Sequence, residues 1–264
     1  MAWKLGQQEA AFMAYVQMRN LRTVHSGDLV TSLKLSAKQE QDLLSRMNQR
    51  GIIAQVRRGL YLVPTKLPLG GVWTPDEASA IAALMADKQA RYQVTGPNAF
   101  NRYGFDAQIP SRIYVYNDAI SGERTIGQIE LTLIKVNQRR LGDTEQFETP
   151  SGDTMVYSSR ERTLLDAVYE WSRFDSLPRA YDWIRSDIEA NSIDPNDLAK
   201  SAIRYGNRGS VRRIGAMLEQ LGVVEKVLKR LERTFSPTKA KIPLVPSRPT
   251  RGMLMKRWGV VNNA

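Results

Sequence analysis

The chain has 264 residues, no cysteine, a single histidine and a formal net charge of +11. That length suffices for two domains with sizeable cores, and a hydrophobic fraction of 42% fits a globular protein. Disulfides, thiolate metal sites and a cysteine nucleophile are excluded, and no apolar run reaches the roughly 20 residues of a membrane helix. The N-terminus, MAWKLGQQEA, lacks the apolar core of a signal peptide, so a cytoplasmic protein is expected.

The charge is unevenly placed. Residues 1–66 carry ten Lys/Arg against four Asp/Glu, residues 67–195 thirteen against nineteen, and residues 196–264 fifteen against four. Two basic ends flanking an acidic middle suggest a polyanionic partner, because clustered cations release counterions when they bind phosphates. A merely basic, solvated surface gives the same counts.

In chain order, residues 7–19 are rich in helix formers, with Ala11, Met13, Ala14, Val16 and Met18 as an apolar side. The pattern breaks at 22–26. Ser26 is placed to cap a short helix over 27–33. Ser36 and Gln39 have capping-box spacing for a helix over 37–49, which Gly51 ends. On that helix Leu43, Leu44 and Met47 share one face, while Lys38, Gln41, Ser45 and Gln49 lie opposite, with Asp42 near them. Two β-prone runs follow, 52–56 and 60–63, with Arg57, Arg58 and Gly59 between them. Adjacent arginines at a hairpin tip are poorly placed for internal ion pairs and well placed for phosphate or minor-groove contact. Helices followed by a capped helix and a basic hairpin make the order of a winged helix-turn-helix. His25, without a second His or Cys, is read as structural or solvent-facing.

Residues 64–71, PTKLPLGG, read as a linker. Thr74 and Pro75 have the cap and first-turn positions of a helix running to about 85. A short strand over 92–94, a helix opening at Gly96-Pro97 and closed by Gly104, and strands over 112–117 and 128–136 come next, with a turn at 121–123. Residues 147–157 fit a hairpin turning at 151–153. Ser159 opens a helix with Leu164, Leu165, Val168 and Trp171 on one side, and Arg162 and Asp166 are spaced to pair. Helices over 178–189, 195–205, 210–221 and 223–234 follow, and RWGVV near the end reads as a last strand. The fold class expected is α+β: a winged helix-turn-helix over 1–66, then a larger α+β domain over 72–264 with a small sheet and a helical C-terminal part.

No catalytic set emerges. A nucleotidyltransferase needs metal-binding aspartates after Gly-Ser, and none follow Gly209-Ser210. A D…E-x-K nuclease needs a carboxylate where Leu133 stands, two residues before Lys135, and Glu130 lies too far along the strand. There is no P-loop. No enzyme activity, metal or cofactor is expected.

Several stretches together resemble the AbiEi antitoxin family of transcriptional regulators. They are RRGLYLVP, YQVTGPNAFNRYG, Gln108-Ile109-Pro110 before RIYVYN, SRERTLLDAV, NRGSVRRIGAMLEQLG and KRWGVVN, in that order. The resemblance runs from about residue 10 to the C-terminus. It implies a two-domain repressor whose winged helix binds inverted repeats in the promoter of its own bicistronic operon. It also implies an antitoxin activity in the second domain against a nucleotidyltransferase toxin, in a type IV system that needs no stable complex. The DNA-binding residues are then expected among Lys38, Gln39, Gln41, Ser45, Arg46, Gln49, Arg57 and Arg58. A second basic surface is expected from Arg204, Arg208, Arg212, Arg213, Lys226, Lys229 and Arg230, joined by Arg233, for flanking DNA, toxin or RNA. Arg212 and Arg213 cannot both point outward, so one is expected to pack or pair. Two other readings stay open: a nucleic-acid-processing enzyme docking through the winged helix, and a winged-helix adaptor that binds protein.

Overall fold

A computed structural model describes residues 5–66, 73–236 and 240–263. The first elements are α1 (Gln7–Met18), β1 (Thr23–His25), α2 (Asp28–Ser32), α3 (Ala37–Gln49), β2 (Ala54–Arg57) and β3 (Leu60–Leu62). The three strands form one antiparallel sheet in the order β1-β3-β2, pairing Thr23 with Leu62 and Ala54 with Leu62 on its two sides. Phe12, Met13 and Val16 of α1 pack on Leu43, Leu44 and Met47 of α3 and on Leu29, Ile52 and Ile53. The buried side of α1 is thus rotated from the expected one, and Met18 is 85% exposed. The strand β1 was hidden in the break at 22–26, because it is three residues long and holds one buried side chain, Val24.

The larger part begins with α4 (Glu77–Asp87), β4 (Tyr92–Val94), α5 (Pro97–Arg102), β5 (Ile113–Asn117), β6 (Gly122–Ile126) and β7 (Ile129–Lys135). A short 3-10 turn (Gln138–Arg140), β8 (Thr144–Glu148) and β9 (Thr154–Ser158) follow. The cap of α4 is Asp76, whose carboxylate accepts from the Ser79 N–H at 2.9 Å, not Thr74 as the sequence suggested. The turn expected at 121–123 is the start of β6, an edge strand whose residues are exposed except Ile126, so no apolar alternation announces it. These strands make a six-stranded sheet in the order β6-β7-β5-β4-β9-β8, with parallel pairs β5–β7 and β4–β9. Most of the linker at 64–71 lies outside the described residues.

The sheet is covered on both faces, as alternation along its strands requires. One face sends Ile113, Val115, Ile129, Leu131 and Leu133 against Ala78, Ile81, Leu84 and Met85 of α4. Ala54, Val56, Leu60 and Leu62 of the β2–β3 hairpin join this same cluster, so the hairpin has one side in each core. The other face, with Tyr116 and Ile134, packs on α6 (Arg160–Tyr169) and the helices after it. These are α7 (Trp171–Phe174), α8 (Arg179–Glu189), α9 (Pro195–Tyr205), α10 (Arg208–Gln220) and α11 (Glu225–Glu232). The chain closes with β10 (Ile242–Pro243), β11 (Met253–Met255) and β12 (Val260–Asn262), a three-stranded sheet in the order β10-β12-β11. Trp258, fully buried before β12, lies against Gly215 of α10, where a side-chain carbon would overlap its ring. The fold is α+β. No helix among the described residues is long and apolar enough to cross a membrane.

Candidate nucleic-acid interface

The start of α3 is built as its sequence predicts. Ser36 accepts from the Gln39 N–H at 3.2 Å, and the Gln39 side-chain oxygen accepts from the Ser36 N–H at 2.8 Å. The reciprocal bond holds the Gln39 side-chain oxygen in the cap, as the capping-box spacing predicts. The cap of α2 differs from expectation. Its N-cap is Gly27, with φ 105°, and not Ser26. The free N–H groups there are satisfied by Glu40 of α3, whose carboxylate accepts from Gly27 at 2.7 Å and Leu29 at 2.9 Å. A buried carboxylate at the positive end of α2 fixes the angle between the two helices.

With Leu43, Leu44 and Met47 buried, α3 turns Lys38, Gln41, Asp42, Ser45, Arg46 and Gln49 to solvent. Arg46 makes a long contact, 3.5 Å, to Gln8 of α1, and its charge helps to lower the Glu9 carboxyl. At the far end Asn48 accepts from the Gln55 N–H at 2.9 Å, tying α3 to β2. His25 is exposed, and its backbone N–H donates to Asp28 at 2.7 Å.

The two hairpin arginines part company. Arg57 lies in β2, not at the tip, and its guanidinium grips Asp87 at the end of α4, with Nε 2.8 and 2.9 Å from the two carboxylate oxygens. This corrects the expectation that both arginines lack internal partners. The Arg57 guanidinium holds the Asp87 carboxyl down at about 2. Arg58 is exposed, and its side chain has no hydrogen bond or ion pair among the described residues. A second tie joins the same two regions: Arg22 beside β1 pairs with Asp153 of the β8–β9 turn. The Asp153 carboxyl is lowered, first by the Ser79 hydroxyl donating to it and then by Arg22.

The C-terminal basic set is likewise divided. Arg212 is buried and donates to the carbonyls of Trp258 (2.6 Å), Ala240 (2.7 Å) and Gly259 (2.6 Å), clamping the chain around β12. Arg213 donates to the Pro243 carbonyl at 3.1 Å. Burial lowers both guanidinium pKa values. These two arginines hold the last sheet onto α10 and do not belong to a contact surface; the sequence showed only that both could not face outward. Arg204, Arg208, Lys226, Lys229 and Arg230 are exposed. Arg208 donates to the Ser236 carbonyl at 2.7 Å and Arg230 to Asn196 at 2.6 Å. Between α9 and α11 lies a groove of about 540 Å³ lined by Lys200, Lys226, Arg230 and Arg233 with Ile203 and Thr234. Lys200 was missed from the sequence, since only the packing of α9 beside α11 puts it with the other three.

The stretches YQVTGPNAF and SRERTLLDAV meet inside the fold. Gln93 of β4 donates to the Ser158 hydroxyl at 2.8 Å and accepts from the Gly142 N–H at 2.8 Å. Asp166 receives Arg162 at 3.0 Å, Arg140 at 3.1 Å and the Thr95 hydroxyl at 3.2 Å, with Arg162 and Asp166 both fully buried. The predicted pair is present, and its work is to hold β4, β9 and α6 together. Among the described residues no group of three or more His, Cys, Asp or Glu is placed to hold a metal ion.

Comparison with known proteins adds a fold likeness. A family model described as "Family of unknown function (DUF6088)" matches residues 29–146, from α2 into β8 and less than half of the chain. No curated protein matches. Among solved structures, the chain is similar to the crystal structure of the RV2827C protein from Mycobacterium tuberculosis. The TM-score is 0.61 at 14% identity, and the alignment covers 98% of this chain and 92% of that one. At that identity the likeness establishes a shared α+β fold across nearly the whole length.

Proposed function

We propose that the chain is a DNA-binding repressor of its own operon and the antitoxin of a toxin–antitoxin pair, working in the cytoplasm. The observation that carries the DNA reading is the outer face of α3. Lys38, Gln41, Ser45, Arg46 and Gln49 are exposed on α3, and Arg58 at the hairpin tip is exposed with no side-chain hydrogen bond or ion pair among the described residues. The order α1-β1-α2-α3-β2-β3, with strands paired β1-β3-β2, is that of a winged helix-turn-helix and supports α3 as the recognition helix. A 13-residue helix is about 20 Å long and fits a major groove roughly 12 Å wide. Gln41 and Gln49 have the amides that pair with adenine, while Lys38, Arg46 and Arg58 suit phosphates. Inverted repeats in promoter DNA are the expected target.

The antitoxin half of the proposal rests on the resemblance of the sequence stretches alone, with a nucleotidyltransferase as the toxin and neutralisation without a stable complex. The reading includes no catalytic step and no cofactor. The groove of Lys200, Lys226, Arg230 and Arg233, with Arg204 close by on α9, is the surface left for flanking DNA, toxin or RNA.

The test is a binding-site selection with Gln41→Ala and Gln49→Ala beside the wild type. Losing a bidentate base contact should cost about 1–3 kcal/mol at one or two base positions and leave the others unchanged. Variants that keep the wild-type preference at every position would remove α3 from the reading.

A further inference from the structure

A cleft of about 430 Å³ lies on the side of α9 facing the start of α6. Asp143 comes to it from the loop before β8, and Glu161 from the first turn of α6. The Asp143 carbonyl accepts from the Ser159 N–H at 2.8 Å, which pins the loop against the helix start. From α9 come Asp197, Lys200, Ser201, Arg204 and the ring of Tyr205. Lys200 already neutralises Asp197, at 2.5 Å. Glu161 and Asp143 have no ion pair, and Arg204 has none either, among the described residues. Ser201 lines the cleft, and its hydroxyl is buried with no hydrogen bond among the described residues.

Burial, and then the charges of Asp143, Asp197 and Glu145, raise the Glu161 carboxyl above its ordinary pKa. Lys200 and Arg204 are the cations facing the same cleft. Keeping an unpaired acid there works against folding at neutral pH, which is the pattern of a group kept for a ligand. A bare metal ion does not suit the cleft, for among the described residues no three or more Asp, Glu, His or Cys are placed to hold one. An N–H donor does suit two open carboxylates. Lys200 and Arg204 disfavour a second positive charge and offer an anion a partner.

We propose that this cleft binds a small zwitterion, its ammonium group held by Glu161 and Asp143 and its anionic group by Arg204. The site is separate from α3 and does not depend on the DNA reading.

The test is calorimetric titration of the full chain with glycine, 4-aminobutyrate and 6-aminohexanoate, with butyrate and butylamine as single-charge controls. At least one aminocarboxylate should bind saturably at millimolar concentration or below. Glu161→Gln and Arg204→Ala should each weaken it about tenfold or more, as loss of a charge-assisted hydrogen bond requires. Glu161→Gln removes a disfavoured charge, so its unfolding midpoint should equal or exceed that of the wild type; Arg204→Ala changes an exposed residue and provides a second folded variant. Binding by none of the three aminocarboxylates overturns the proposal, as does binding indifferent to Glu161→Gln, or butyrate or butylamine binding as well as the zwitterions.

Discussion

Arg58→Ala and Arg57→Ala make neighbouring changes that the structure separates. Each removes one positive charge from the hairpin. Arg57, however, is bound through both carboxylate oxygens of Asp87, so the pair brings little net charge to a nearby polyanion. Arg58 is exposed, with no partner among the described residues. If it meets a phosphate, Arg58→Ala should reduce the slope of log K against log salt by about 0.9. Carried to 0.1 M salt, that is about an eightfold loss of affinity, shrinking toward nothing near 1 M. Arg57→Ala should leave the slope within error of wild type and instead lower stability, since β2 loses its tie to α4. Fluorescence anisotropy of labelled duplex over a salt series measures the first effect, and urea unfolding the second. An unchanged slope for Arg58→Ala, or the same slope loss for Arg57→Ala, refutes this division of labour.

Other outcomes follow from the packing. Glu40→Ala strands two N–H groups at the start of α2 and should cost about 1–3 kcal/mol in urea unfolding, with DNA affinity falling as the α2–α3 angle loosens. Arg162→Ala leaves a fully buried Asp166 with Arg140 as its remaining cation, and should cost about 3–5 kcal/mol. Gly215→Ala forces a methyl into the Trp258 ring and should cost about 1–3 kcal/mol, read as a lower thermal midpoint. Asp87 has its pKa lowered from 3.8 to about 2 in the folded chain. Its stabilisation is therefore complete above pH 3.8 and is lost as pH falls toward 2; Asp87→Asn should flatten that part of the acid-unfolding profile.

The parts of the fold legible in the sequence are those set by local signals. The Ser36/Gln39 box, the buried Leu43–Leu44–Met47 side of α3 and the Pro97 start of α5 each depend on residues within a turn or two of one another. The strands β1, β6, β10 and β11 were not legible, being short or polar, with their hydrogen bonds supplied by partners far along the chain. The cap of α2 was misread because the acceptor, Glu40, comes from the next helix and not from the serine beside it. The same limit applies to the candidate sites. The outer face of α3 could be read from 3.6-residue periodicity. The pairing of Arg57 with Asp87, 30 residues on, could not, nor could the burial of Arg212 beneath the Trp258 segment. Lys200 joins Lys226 and Arg230 only because α9 and α11 pack side by side.

The central claim is sequence-specific recognition of DNA, and its most direct measurement is binding of the intact chain to the duplex upstream of its own coding sequence. A shuffled duplex of the same composition serves as reference, and the salt series spans roughly 50–200 mM. Saturable binding to the upstream duplex is expected to be at least about a thousandfold tighter than to the shuffled one, with affinity falling as salt rises. Equal affinity for the two duplexes, or no binding to either at the lowest salt, contradicts it.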